Sequence, residues 1–216
     1  MNRVLISQRM AKDKYGQYYD YLESSYIKFF NNFDMIPILL PNSVKDVTNF
    51  YKKNRCNKII LTGGDDIFEL ASNKNKNDQI FRRDRNEKKL IIFAKNNKIP
   101  MFCICRGFQL TNLVLGGKLT KNILNKNIRA HEVIINKNYM TNINHKIMVN
   151  SFHNHGIKVN QLADRLVALG YSRDLKYIEF YEHEYLPIIG IQWHPERHNK
   201  SIKFNKIIFK KFLSNK

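Results

Sequence analysis

The chain has 216 residues, 43% of them apolar, and a formal net charge of +19 from 37 Lys and Arg against 18 Asp and Glu. That length suits a single domain over residues 1–216 with a sizeable core, leaves no room for a second catalytic domain, and contains no apolar run long enough to cross a bilayer. The positive excess raises nucleic acid as a partner, but the lysines are scattered among asparagines, as in Lys74-Asn75-Lys76-Asn77, with no basic helix or aromatic-lined recognition motif, so neither nucleic acid nor membrane is expected.

Arg3 to Ser7 reads as a first strand, and Val4-Leu5-Ile6 is too short for a signal-peptide core. Gly16 to Phe33 reads as a helix, because Leu22, Tyr26, Phe29, Phe30 and Phe33 recur at helical spacing as a core stripe. Met35 to Leu40, bounded by Pro41, is a second strand, and Val44 to Asn54 fits a helix. Lys58 to Leu61 is a third strand closed by Gly63-Gly64, either a plain turn or a loop that lends an amide to a site. Asp65 to Asp84 is polar, with Asn73 to Asp78 its exposed loop, and Glu87 to Asn97 fits a helix. This β-α-β-α order predicts an α/β fold: a mostly parallel sheet with helices on both faces. Short strand-like pieces, expected as antiparallel edges beside the parallel core, follow at Val133 to Ile135, Lys146 to Val149, Arg165 to Gly170 and Tyr177 to Tyr181, and Asn199 to Leu213 is a closing helix.

Chemistry concentrates in two stretches. Ile99 to Ile104 is an apolar run that ends in Cys105, followed by Gly107 and a helix-compatible segment. A strand–nucleophile–helix elbow reads this way, since its nucleophile sits in a strained backbone between small neighbours. Gly107 supplies one small neighbour, whereas Cys103 stands where the other glycine is usual. Taken alone, the stretch also fits a buried cysteine at a strand end. As an elbow it would aim the first helix amides, that of Arg106 among them, at a thiolate or an oxyanion. In the second stretch an apolar strand from Pro187 runs into His194-Pro195-Glu196. Positions i and i+2 of an extended segment share a side, and Pro195 holds the segment extended. Glu196 can therefore orient one ring nitrogen of His194 while the other faces Cys105.

The three cysteines have neither framework nor metal spacing, so a reduced, cytoplasmic setting is expected. Among His131, His145, His153, His155, His183 and His198 no pair shares a helix face in metal-ligand spacing, and no metal is expected.

Cys105-Arg106-Gly107-Phe108-Gln109 with Trp193-His194-Pro195-Glu196 resembles the class I glutamine amidotransferases, and within them the free-standing γ-glutamyl hydrolase branch. Further matches are Leu61 to Asp66, Arg83-Asp84 with Glu87, Leu115-Gly116-Gly117, and Asn150-Ser151-Phe152-His153-Asn154-His155. Arg173-Asp174-Leu175-Lys176 departs from the Asp-Gly turn of many relatives. The resemblance implies a three-layer, flavodoxin-like fold and a Cys105-His194-Glu196 triad, with oxyanion amides at Gly64 and Arg106. It also implies a substrate pocket lined by Gln109, Ser151 and His153, and no cofactor. The implied substrate is a small γ-glutamyl conjugate, foremost a γ-glutamyl nucleotide amidate of capsule modification, with γ-glutamyl-γ-aminobutyrate as the alternative. The third option is a glutaminase subunit feeding a partner synthetase. Arg173 and Lys176 are candidates to meet an anionic leaving group. The oligomeric state is open, with a homodimer as one option.

Overall fold

Asn2–Ser7 forms β1, whose alternate side chains enter two different cores: Leu5 packs on one face of the sheet, Val4 and Ile6 on the other. The same division recurs along Lys58–Leu61 (here β5, after β2 to β4 below) and Met101–Ile104 (β6). A strand buried on both faces needs helices on both sides, and the computed structural model supplies them. It describes residues 1–73, 76–121, 123, 130–137, 139, 145–198 and 200–215. On one face lie α2 (Val47–Lys53), α3 (Asp78–Asn97) and α4 (Arg106–Val114), through Val47, Leu90, Ile91, Ala94, Phe108 and Leu110. On the other lie α1 (Ser24–Phe30) and α5 (Ile202–Ser214), through Tyr26, Phe30, Phe204, Ile208, Phe209 and Phe212.

β4 (Met35–Leu40), β1, β5, β6 and β12 (Ile188–Ile191) stand side by side in parallel, the 2-1-3-4-5 order of flavodoxin-like sheets. Beyond β12 the sheet continues antiparallel through β11 (Tyr177–His183), β10 (Leu166–Ser172), β7 (Ala130–Ile135) and β8 (Lys146–Asn150), with β9 (Ile157–Lys158) on β11. The expected three-layer α/β architecture is therefore the one observed. Among the described residues no helix is long and apolar enough to cross a membrane.

The helix expected over Gly16 to Phe33 is corrected. β2 (Arg9–Lys12) and β3 (Tyr18–Tyr21) form a hairpin, and only Ser24–Phe30 is helical. Asp13 explains the turn: its carboxylate accepts from the amides of Tyr15 and Gln17 at 2.9 Å, and Gly16 takes φ +84°. Tyrosines then favour the extended strand. Helix starts also shift. Asp46 caps α2 by accepting from Thr48 and Asn49, so it begins at Val47. Asn77 caps α3 by accepting from Ile80, so that helix starts at Asp78, well before Glu87. The Lys74-Asn75 part of the expected loop and Asn199 of the closing helix lie outside the described residues.

Candidate active site

Cys105 stands between the end of β6 and the start of α4 with φ 50° and ψ −98°, a conformation that is strained for any residue with a Cβ. Its amide donates to the Ile191 carbonyl at 2.8 Å, and its own carbonyl accepts from Gln109 at 3.1 Å. The strand and helix approach so closely that a Cβ on Gly107 would lie 2.6 Å from the Leu61 carbonyl oxygen. Cys103, in the other glycine position, is fully buried and its Sγ lies 3.2 Å from the Thr111 hydroxyl of α4. Burial pushes its thiol up to about 12, so it stays a neutral packing group.

β12 runs parallel to β6 with Ile191 opposite Ile104, so the chain leaving β12 arrives beside Cys105. Asn150 clasps the His194 backbone, accepting from its amide at 2.9 Å and donating to its carbonyl at 2.8 Å. The ring Nδ1 lies 2.5 Å from Glu196 Oε1, and the ring also bonds Cys105. Burial opposes charge on this imidazole, yet the Cys105 sulfur and then the Glu196 carboxylate lift its pKa to about 10. A buried imidazole held protonated between a cysteine and a carboxylate can give a proton to a leaving group and take one from water.

The Gly63-Gly64 loop closes against the same histidine. A Cβ on Gly63 would overlap Cε1 of the His194 ring, and Gly64 takes φ +129°. The Gly63 amide donates to the Tyr26 hydroxyl at 2.9 Å, and that hydroxyl also bonds Glu196. Burial, followed by the Glu196 charge, raises the Tyr26 pKa well above its ordinary value, so its proton stays on. Tyr26 thus ties the glycine loop to the carboxylate behind His194, a role that aromatic spacing alone did not reveal. Gln192 was also missed. It donates to Cys105 Sγ at 3.6 Å and accepts from Gln109 at 3.0 Å.

A buried ion network holds loop and elbow together. Arg83 on α3 donates through Nη2 to the carbonyls of Thr62 and Gly63, both at 2.9 Å, and through Nε to Glu87. The Arg106 side chain pairs with Glu87 and Asp84. Its guanidinium is therefore engaged by these carboxylates, which leaves its amide as the group an oxyanion could use.

The expected pocket residues divide. Gln109 is buried and donates to the His155 carbonyl as well as to Gln192. Ser151 is half-buried next to Phe152, whose exposed ring meets the His194 ring edge-on at 5.7 Å and carries the Arg197 guanidinium at 4.5 Å. The His153 ring meets the His131 ring edge-on at 6.1 Å. Arg173 and Lys176 are exposed in the β10–β11 turn, where Lys176 lies 3.7 Å from Asp174.

The peptidase C26 family model matches residues 4–196 of this chain. The γ-glutamyl-CDP-amidate hydrolase of Campylobacter jejuni is 32% identical over 196 residues, covering 90% of each chain. The γ-glutamyl-γ-aminobutyrate hydrolase of Escherichia coli O157:H7 is 23% identical, covering 99% of this chain and 94% of that protein. Among solved structures, a glutamine amidotransferase from Thermotoga maritima superposes with a TM-score of 0.62 at 17% identity, over 99% of this chain and 86% of that one.

Proposed function

The chain belongs to the peptidase C26 family, and on that premise we propose that it is a cysteine-dependent hydrolase of γ-glutamyl amides. The observation that carries the reading is the His194 ring, bonded to Glu196 on one side and to the strained Cys105 on the other. The Cys105 thiolate attacks the γ-carbonyl carbon, and the amides of Gly64 and Arg106 receive the oxyanion. Collapse of the tetrahedral intermediate breaks the C–N bond, and the His194 imidazolium gives its proton to the leaving amine. The neutral ring then takes a proton from water, whose oxygen attacks the thioester to release glutamate and restore the thiolate–imidazolium pair. Glu196 fixes the ring tautomer and supports its charge throughout. Ser151 and Gln109 are assigned to the glutamyl end of the pocket, with Arg173 toward the amine half.

The preferred substrate in this reading is γ-glutamyl-CDP-amidate, supported by the 32% identity to a hydrolase of that compound. Measuring glutamate release from γ-glutamyl-CDP-amidate, γ-glutamyl-γ-aminobutyrate and free glutamine tests it. The nucleotide amidate is expected to give the highest kcat/KM, and Cys105→Ala should abolish release with the fold retained, as read by circular dichroism. Turnover by Cys105→Ala would overturn the mechanism. Activity that appears only when a synthetase is added would establish a glutaminase subunit instead.

A further inference from the structure

His131 on β7, His153 in the segment after β8, and Glu179 on β11 are far apart in sequence, yet one nitrogen or oxygen from each lies within 4.8 Å of the others. Three atoms converge: Nε2 of His131, Nε2 of His153 and Oε2 of Glu179. All three are buried, and among the described residues none has a hydrogen-bond partner. His131 Nε2 and Glu179 Oε2 lie 3.4 Å apart, at ion-pair distance but outside hydrogen-bonding geometry. Buried polar atoms left unsatisfied are destabilising, so three facing one another call for a common partner.

Their chemistry says what that partner is. The Nδ1 of His153 lies 3.0 Å from the His155 carbonyl oxygen. A carbonyl only accepts, so Nδ1 carries the ring proton and Nε2 presents its lone pair to the cluster. Glu179 Oε2 is a second acceptor, nearly out of reach of solvent. The centre is therefore a cage of lone pairs around one carboxylate charge. A proton on His131 serves one neighbour at most, whereas a divalent cation serves all three. The outer bond of His153 to a backbone carbonyl is the support that metal-bound histidines use to fix their tautomer.

We propose that His131, His153 and Glu179 form a binding site for a divalent cation of the zinc class. Two imidazoles and one carboxylate match the ligand preferences of Zn²⁺, with water completing the shell. Ligands around tetrahedral zinc are about 3.3 Å apart at bonds of about 2.0 Å, so the His131–Glu179 separation already fits and His153 has only to swing inward. The site does not enter the proposed hydrolysis. It joins two strands of the antiparallel extension to the segment whose Phe152 ring packs against His194, and it withdraws His153 from the substrate pocket.

The test uses the full chain carrying Cys105→Ala, so that the thiol beside His194 does not compete for metal. After removal of metals with a chelator, Zn²⁺ binding is measured against a chromophoric competitor, and Co²⁺ is used as a spectroscopic probe. One equivalent of Zn²⁺ is expected, with a rise in Tm. The Co²⁺ spectrum should show visible ligand-field bands of low coordination number and no thiolate charge-transfer band. The nearly isosteric Glu179→Gln and the separate His131→Ala should each weaken Zn²⁺ binding at least tenfold. Either absence of bound Zn²⁺ or affinity unchanged in both variants would overturn the site. A thiolate band would place the ion at Cys56 or Cys103 and overturn it equally, and this spectrum needs no variant at the proposed ligands.

Discussion

A single methyl group on residue 63 would enter the space of the His194 ring. Gly63→Ala is therefore expected to displace that ring and lower kcat/KM about 100-fold. Its Tm should fall by several degrees as well, because Gly63 is buried and overpacking a buried site costs about 1–3 kcal/mol. Activity within a factor of a few of the parent would mean that the loop, not the ring, gives way. Glu196→Gln keeps a hydrogen-bonding group but removes the charge that helps lift the His194 pKa to about 10. The alkaline limb of kcat/KM should then move down from about pH 10 toward neutrality, and kcat should fall by 10²–10⁴. An unmoved limb would assign the lift to Cys105 alone. The sign for stability follows from the same shift. A raised folded-state pKa contributes stability that is complete below about pH 6.5 and is lost as pH rises to about 10. At this scale the sequence was partly legible. Cys105 and His194-Pro195-Glu196 are local patterns, whereas Tyr26 and Gln192 act through partners far along the chain. The His131-His153-Glu179 cluster left no trace in ligand spacing because its members come from three separate segments.

α3 positions the candidate site without lending it a reactive group. Its adjacent Arg83 and Asp84, each about one turn before Glu87, hold the glycine loop and the elbow arginine together with it. All are buried, as is Arg106. Removing one member of such a network leaves an uncompensated internal charge, so Glu87→Gln should cost about 3–5 kcal/mol of unfolding free energy. Urea unfolding measures this, and a loss below ~1 kcal/mol would show that water enters to solvate the arginines. The i, i+4 pair of Arg83 and Glu87 was visible in the sequence, but its burial was not, because helix-surface pairs have the same spacing. The β2–β3 hairpin was hidden for a related reason. Tyr18, Tyr19 and Tyr21 supply apolar spacing of either kind, and Asp13 with Gly16 decided the outcome locally.

Over the whole molecule, the excess of +19 sets a field that draws anions. With γ-glutamyl-CDP-amidate as substrate, kcat/KM is expected to fall as salt screens that field, and Arg173→Ala should flatten the dependence. A flat profile for the parent would remove the nucleotide as the favoured leaving group. The α/β class and the parallel sheet were readable from the alternating elements up to Leu119, whereas the strand order was not, because β12 enters the parallel set from far along the chain. The antiparallel half was expected as edge pieces but without their order or register, because that pairing is non-local.

β12 is the last strand of the chain and lies in the middle of the sheet, between β6 and β11. Roughly 80 residues of synthesis separate the end of β6 from the start of β12. At about 5–20 residues per second, a ribosome-bound chain carries β6 as an unpaired, wholly apolar edge for about 4–16 s. Such an edge recruits other strands, so edge-to-edge association competes with folding during that interval. The same delay has a protective side. Cys105 is translated early but has no His194 beside it until the centre of the sheet is filled, so an unfinished chain carries a thiol without its base.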